Sequence, residues 1–434
     1  IFILFLILCF NIKLIYRISI LNRGFKGGIM NLLKNTLLLI ISTILISIAN
    51  FSLSYADSVK FGSLSAVTGP IAKLVPPIID GEKLAVKQVN EAGGILGGKK
   101  LELIVGDTQC NAQASIDSAG KLINVEQVTA IVGALCSGAT IGAANNVAIP
   151  SNVVMVSPAS TSPELTTLKD KDLVFRVAPT DAYQGKVLAR YVKSKGINSV
   201  AVAYVNNDYG VGLAETFIEA FKGIGGKITG SQKHEDKKAS YRAELATLSK
   251  GKPDALVVLA YAGGSGLTII RQSLENGFFK KFVGADGMRD NVLIEKLGAK
   301  ALTNKFLVIS PTSPKGKARD AFNNAAKTAG LDPNGPFVAQ GYDAAMMLAL
   351  AVEKAKSADR AKISKALRSI ANPPGIAIRP GEWKKAVAAL AQGNEINYIG
   401  ASGPHDFDAA GDVGGVYADY LIKDNKFQEN LMIE

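Results

Sequence analysis

Small and polar side chains follow four apolar runs of the sequence, at points where strands are expected to end. Ser137 comes after the run 129–135 and directly before a small-residue helix, and the other three segments are 158–161, 206–210 and 284–287. In parallel α/β sheets, ligands bind beyond the carboxyl ends of the strands and against helix N-termini. A hydroxyl and free helix amides suit a carboxylate, although a serine here also serves as a simple N-cap. Together the four segments favour a site for a small ligand.

Two further segments approach known motifs but depart from them. In GGILGGKK (93–100), a lysine stands where a phosphate loop has Ser or Thr, and a helix ends there instead of beginning. We therefore expect a helix C-terminus and a turn. In AGGSGL (262–267), Leu267 replaces the second glycine of the nucleophile elbow G-x-S-x-G.

A hydrolase would need a general base beside a nucleophilic serine, either Ser265 or Ser137. The two histidines, His234 and His405, lie in a charged loop and beside a proline turn. Neither has a supporting motif for a catalytic triad, and neither forms a metal-ligand set with the cysteines. The sequence therefore predicts no enzyme, no metal and no cofactor.

Short apolar runs alternate with helical patterns from residue 57 onward, and these runs are the predicted strands. They cover 59–67, 100–107, 129–135, 153–159, 173–179, 199–205, 255–261, 281–286 and 306–311. Continuous apolar strands between helices indicate parallel sheets covered on both faces. Similar strand numbers on either side of 173–179 indicate two α/β lobes. Helices come first in the last third, and strands follow near 396–400, 404–408 and 415–422.

The N-terminal residues have the features of an export signal. Residues 30–56 combine a lysine, an apolar stretch and a small-x-small ending at Ala56. We expect cleavage after Ala56 and regard 1–29 as an over-extended gene start. The alternative is that 37–53 is a permanent membrane anchor, for which it is short.

Cys136 stands directly before Ser137 and has three candidate roles: nucleophile, metal ligand or half of a disulfide. Beyond residue 56 the chain has only Cys110 and Cys136. An even pair in an exported protein favours a disulfide. A closed loop of about 26 residues would stabilise the fold by roughly 3 kcal/mol in the chain-entropy model.

Length and charge limit the number of domains and the functional classes that remain. A chain of 434 residues fits two domains, each with its own core. The formal net charge is +12, but the basic residues alternate with acids and alanines. Because no basic run is interleaved with aromatic residues, we expect no binding to nucleic acid.

The chain from 57 to 434 resembles type I periplasmic substrate-binding proteins of ABC importers, especially the leucine/isoleucine/valine-binding branch. The segments that carry the likeness are LSAVTGPIA, VNEAGGILGGKKLELIVGDTQC, GALCSGAT, VSPASTSPELT, NNDYGVGLAETF, LAYAGGSGLTIIRQS and FVGADGM. The resemblance implies two Rossmann-like lobes joined by three hinge crossovers, with the ligand between them. The implied limits are 57–178 plus 312–397 for lobe 1, and 179–311 plus 398–434 for lobe 2. It also implies a disulfide between Cys110 and Cys136 within the first lobe.

The resemblance carries over a ligand site position by position. Its residues are Ser137, Ala159, Ser160, Thr161, Tyr209, Tyr261 and Asp286. Ser137 corresponds to the serine that binds the ligand carboxylate, and Thr161 to a threonine that contacts the amino acid. The Ala159 carbonyl would accept from the ammonium group. Tyr209 corresponds to the tyrosine that closes over the ligand, and Tyr261 to a further tyrosine of the second lobe.

Asp286 stands where the branched-chain binders have a glutamate that pairs with the ammonium. Burying either charge of a zwitterion without a partner costs several kcal/mol, so an acid at one end and hydroxyls at the other are a sensible pair. The shorter acid departs from the family pattern. It leaves open a second ligand class: an amide, urea, a short peptide or an aromatic acid.

These expectations describe a periplasmic binding protein for a branched-chain or other aliphatic amino acid. Its partners would be the permease and ATPase of an ABC transporter in the inner membrane. It is expected to be a monomer that breaks no bond in its ligand. The hydrolase remains the alternative from a different functional class.

Overall fold

The computed structural model describes residues 58–433, so the expected export signal and its membrane-anchor alternative lie outside the described residues. Among residues 58–433, no helix combines the length and hydropathy needed to cross a lipid bilayer. The described chain begins with a parallel sheet of five strands: β1 (Val59–Ser65), β2 (Leu101–Asp107), β3 (Ala130–Gly133), β4 (Met155–Ser157) and β5 (Val174–Arg176). They lie in the order β2-β1-β3-β4-β5.

Helices cover the faces of this sheet. They are α1 (Val75–Glu91), α2 (Ala112–Gly120) and α3 (Ser137–Ala143), and π-helical turns at Lys121–Val125 and Ala144–Ala148 extend the last two. Strand β3 lies between β1 and β4 and is buried along its whole length. Its Ala-Ile-Val-Gly sequence suits this position, because a strand covered on both faces needs no polar alternation.

The second part of the chain repeats the alternation. Its strands are β6 (Ser199–Val205), β7 (Lys227–His234), β8 (Ala255–Leu259), β9 (Phe282–Gly284) and β10 (Phe306–Thr312). Its helices are α4 (Asp181–Ser194), α5 (Asp208–Gly223), α6 (Arg242–Ser249), α7 (Leu267–Glu275), α8 (Val292–Leu297) and α9 (Ala299–Leu302). Short 3-10 turns lie at Pro163–Thr167 and Asp286–Met288.

The last third contains helices first and a closing hairpin. Its helices are α10 (Lys317–Thr328), α11 (Val338–Ala355), α12 (Ile363–Ala371) and α13 (Trp383–Ala391). Its strands are β11 (Ile376–Ile378), β12 (Ile396–Gly400), β13 (Gly403–Pro404), β14 (Val416–Lys423) and β15 (Lys426–Ile433). The strands β11 to β13 form a small sheet, whereas β14 and β15 complete a seven-stranded sheet in the order β15-β14-β10-β9-β8-β6-β7.

The two large sheets define the two lobes. We call the five-stranded sheet and its helices lobe 1, to which α11 belongs because it packs along α1. The seven-stranded sheet and its helices are lobe 2. The chain passes between the lobes three times, after β5, after β10 and after β13, which confirms the predicted two-lobed α/β fold. The exact limits given above for the lobes stay a prediction.

Two strands of the seven-stranded sheet escaped the sequence pattern, as did β11 and the helices α6, α8 and α9, and one predicted strand is wrong. Strands β7 and β15 lie at the edges of the seven-stranded sheet, where partly exposed polar residues replace the apolar run. The strand expected near 404–408 is absent, since β13 ends at Pro404. The chain turns there because the buried Asp343 carboxylate accepts from the Ala401 and Ser402 amides and contacts His405.

A buried ion pair fastens the last crossover to lobe 1. Arg176 at the end of β5 is 1% exposed, and its Nε donates to Asp412 Oδ1 over 2.6 Å. A second guanidinium nitrogen donates to Asp412 Oδ2 at 2.8 Å, and a third to the Ser162 carbonyl at 2.7 Å. Such a bidentate pair keeps both charges satisfied only while both partners are present.

Arg176→Met is therefore expected to lower the free energy of unfolding by about 3–5 kcal/mol, because Asp412 would keep a buried charge without its partner. Urea denaturation followed by circular dichroism would measure this. The exposed pair Arg242–Glu275, 3.5 Å apart, gives the matched control. There Arg242→Met should cost less than about 1 kcal/mol, and equal losses at the two sites would contradict the prediction.

Candidate ligand-binding site

The start of α3 presents unused backbone donors to the cleft. The N-cap is Cys136, which makes no side-chain capping bond, and Ser137 is the first helical residue. The N-cap role considered for Ser137 is therefore wrong by one position. The Ser137 hydroxyl instead accepts from the Ser162 amide over 3.2 Å. A helix start without a side-chain cap favours an anion in front of it.

The disulfide explains why this helix has no cap. Cys110 and Cys136 are bonded, with their Cα atoms 5.3 Å apart, as the sequence predicted. A sulfur in a disulfide is a poor acceptor for the helix amides, so the capping position is occupied without being used. The bond also ties the loop after β2 to the start of α3.

The segment after β4 approaches the cleft from the same lobe. Ala159 lines the pocket, whereas Ser160 points inward, with its hydroxyl 2.7 Å from Thr140 Oγ1. Thr161 is also buried, and its hydroxyl donates to Asp181 Oδ2 of lobe 2 over 2.8 Å. The structure thus places Ser160 and Thr161 behind the pocket wall rather than on it.

Lobe 2 contributes a buried acid held by two donors. Asp286 is 4% exposed, and its Oδ1 accepts from Gln184 Nε2 at 2.8 Å and from the Tyr209 hydroxyl at 3.1 Å. The Tyr209 oxygen also accepts from the Gly287 amide, which fixes the direction of its proton. The Tyr209 and Tyr261 rings stack with centroids 5.0 Å apart.

The charge of this acid is not balanced within the protein. Burial raises the pKa of the Asp286 carboxyl to about 6, although the bonds from Gln184 and Tyr209 act to lower it. The pKa of the Asp181 carboxyl rises well above its usual value, because of burial and then the nearby Asp286 charge. One oxygen of Asp181 and the Gln184 amide oxygen are buried without a hydrogen-bond partner. This side of the cleft therefore favours a cationic hydrogen-bond donor.

One pocket brings the two sides together. It is a cavity of about 30 Å³ and is walled by both lobes. Five of the seven predicted site residues line it: Ser137, Ala159, Tyr209, Tyr261 and Asp286. Six lining residues were not predicted: Ile71, Leu74, Ile78, Leu135, Gly287 and Phe337.

The unpredicted residues are mainly an apolar wall. Ile71, Leu74 and Ile78 follow β1, so the rule about strand ends could have found them. Phe337 precedes α11, far along the chain and away from any strand end, and no sequence signal marks it. The polar supports Asp181 and Gln184 lie on α4 and had no signal of their own.

The hydrolase alternative is supported by one contact between a histidine and a serine, but this contact does not form an active site. His234 Nε2 lies 2.9 Å from Ser265 Oγ, a contact that nothing in the sequence indicates. Both side chains are buried, and neither lines the pocket. The amide of Gly266, which would bind an oxyanion, already donates to the Tyr261 carbonyl. The contact therefore braces the turn before α7.

The described part of the chain contains no group of three or more His, Cys, Asp or Glu side chains arranged to hold a metal ion. The segment 93–100 is also not a phosphate loop. Helix α1 ends before it, and Ile95 and Lys99 pair their backbones across the turn, as expected.

A pocket walled by two α/β lobes is the architecture of a two-lobed ligand-binding protein. Residues 58–389 match the family of periplasmic binding proteins. The chain belongs to this family.

Its relatives in sequence and in structure are amino-acid-binding proteins. A leucine-, isoleucine-, valine-, threonine- and alanine-binding protein of Pseudomonas aeruginosa is 28% identical over 322 residues, covering 74% of this chain and 84% of the relative. The crystal structure of a leucine binding protein from Thermotoga maritima has a TM-score of 0.73 and 27% identity, covering 86% of this chain and 98% of that one. A branched-chain amino acid transporter substrate binding protein from Streptococcus pneumoniae, solved with isoleucine, has a TM-score of 0.72 and 25% identity, covering 87% and 99%.

The disulfide gives a testable loss of stability. Replacing Cys110 and Cys136 with alanine in a protein starting at Asp57 should lower the free energy of unfolding by about 3 kcal/mol, because the open loop has more entropy when unfolded. Urea denaturation would measure the loss. A thiol reagent should label no cysteine of the denatured parent, and two labelled thiols would contradict the assignment.

Proposed function

We propose that this protein binds an aliphatic amino acid between its lobes and delivers it to an ABC permease. The observation that carries the proposal is one buried pocket walled by Ser137 at an uncapped helix start and by Asp286 from the other lobe. The two groups suit opposite charges. A zwitterion satisfies both at once, whereas an ion of either sign would leave one end without a partner.

The carboxylate of the ligand would face the start of α3. There the first helix amides and the Ser137 hydroxyl can donate to it, and the helix dipole favours negative charge. The ammonium would face Asp286 and the Ala159 carbonyl. Thr161 is a supporting residue in this arrangement, because its hydroxyl donates to Asp181 and leaves the oxygen free only to accept.

The side chain of the ligand would lie against the apolar wall. Ile71, Leu74, Ile78 and Phe337 supply aliphatic and aromatic surface, and the stacked tyrosines close the opposite side. Such a wall favours an aliphatic side chain, with about 0.8 kcal/mol for each buried CH₂ group. The relatives described above, which are named for binding leucine, isoleucine or valine, support the same class of ligand.

A second ligand class remains within the same fold. An amide, urea, a short peptide or an aromatic acid would use Asp286 differently. The unpartnered oxygens of Asp181 and Gln184 favour donors over acceptors at this end, which supports an ammonium over an aromatic carboxylate.

The proposed transport role also concerns where the protein acts and with which partners. The protein would act as a monomer in the periplasm after cleavage at Ala56, with a permease and ATPase as partners. It would not alter its ligand, since neither serine considered as a nucleophile has both a base and a free oxyanion site.

Isothermal titration with the twenty amino acids is the primary experiment. We expect binding at micromolar concentrations or tighter for aliphatic members, and Asp286→Asn should weaken L-leucine binding by about 1–3 kcal/mol. The matched control is Asp290→Asn, a buried acid of the same lobe that does not line the pocket. 4-Methylpentanoate, which lacks the ammonium, should bind both variants alike. No heat with any amino acid would contradict the proposal.

The affinity for L-leucine should depend on pH in one direction. Below about pH 6 the empty site holds a proton on Asp286, and this proton must leave before an ammonium can bind. Affinity should therefore be constant well above pH 6 and fall by up to about tenfold per pH unit below it. Titrations across this range in the parent and in Asp286→Asn would check this. The variant should give a flatter profile, and equal profiles would contradict the assignment.

A further inference from the structure

Two glycines of lobe 2 lie directly against prolines of lobe 1. A Cβ atom placed on Gly263 would lie 2.5 Å from the Pro70 carbonyl oxygen. One placed on Gly212 would lie 2.7 Å from Pro163 Cδ. Carbon atoms in contact prefer about 3.5–4.0 Å, and neither a backbone carbonyl nor a proline ring can rotate away. An added methyl group therefore cannot fit while the lobes hold their present positions.

A third close contact has the lobes exchanged, but it meets a side chain that can rotate. Gly138, directly after Ser137 in lobe 1, faces the Asp208 carboxylate of lobe 2, and a Cβ atom here would collide with the carboxylate oxygen. Asp208 begins α5, one residue before Tyr209. Glycine at this point lets the second lobe approach the start of α3.

The three contacts surround the pocket. Pro70 precedes the lining residue Ile71, Gly138 follows Ser137, and Gly212 lies one turn beyond Tyr209 on α5. Closeness of the lobes at these points is what buries the pocket walls, since Tyr209 and Ser137 are each only 2% exposed.

We propose that Gly212 and Gly263 determine how closely the lobes approach, and thereby act as positioning residues for the bound ligand. The inference rests on the proposed function, because closure of the lobes matters only when it encloses a ligand. The glycines permit the closed arrangement because they have no Cβ atom. A methyl group at either of them would hold the lobes apart while leaving each lobe intact.

Gly212 separates this role from an ordinary structural one. It lies inside α5 with a negative φ, where alanine is intrinsically preferred over glycine. Gly212→Ala should therefore leave the melting temperature of the ligand-free protein unchanged or higher. The same variant should bind L-leucine more weakly, a combination that damaged folding does not produce.

The experiment compares Gly212→Ala and Gly263→Ala with Gly223→Ala. Gly223 ends the same helix and has no atom within 4 Å of its Cβ position, so it is the matched control. Titration with L-leucine should show affinities at least about tenfold weaker for the first two variants and within about twofold of the parent for the control. X-ray scattering should show that L-leucine compacts the parent and the control but not Gly212→Ala.

A second substitution in the other lobe tests the contact itself. Pro163→Ala removes the ring atoms that the new methyl group would meet, so Gly212→Ala combined with Pro163→Ala should recover most of the lost affinity. Pro163→Ala alone should bind L-leucine about as the parent does. No recovery would mean that Gly212 acts within its own lobe, which contradicts the inference.

The outcomes separate this inference from the proposed function. If the parent binds L-leucine and both glycine variants bind it equally well, the inference is wrong and the proposed function stands. If the parent binds none of the twenty amino acids, the proposed function is wrong. The inference, which needs lobes that close on the proposed ligand, then fails with it.

Discussion

Charge left without a protein partner is the constraint on which the cleft depends. Asp286 and Asp181 are buried side by side, and the described residues form no ion pair with either. Across the pocket, α3 begins without a side-chain cap. Folded proteins normally satisfy both kinds of group internally, because an unsatisfied buried charge costs several kcal/mol. Here the buried acids and the helix start are complementary in charge and lie on opposite sides of the pocket. A dipolar solute between them would therefore supply the partner that each one lacks.

Much of the fold follows from local pattern. Apolar strands of the interior, such as β3 and β8, are visible as continuous runs. The edge strand β7 is not visible in this way. Its polar residues face solvent on one side. It is a strand because it pairs with β6, and its own sequence pattern does not mark it as one.

The site was predictable in part for the same reason. Strand ends in parallel sheets converge, so Ser137, Tyr209 and Asp286 could be grouped before any coordinates existed. The direction of a hydroxyl could not be predicted. Ser160 and Thr161 differ from Ser137 in the neighbours that tertiary packing supplies, namely Thr140 for one and Asp181 for the other. Sequence motifs miss such contacts for a similar reason. His234 and Ser265 lie in contact, although the sequence around each of them matches no catalytic motif.

The Arg176–Asp412 ion pair leaves only a few residues of the last crossover between the lobes free to change their backbone dihedral angles. Asp412 is clamped to β5, and the chain has joined β14 by Val416, so only three residues lie between the fixed points. Two of them, Gly414 and Gly415, are glycines, whose backbone dihedrals range most widely. At this crossover, a rotation of one lobe against the other must therefore be taken up by the dihedral angles of residues 413–415.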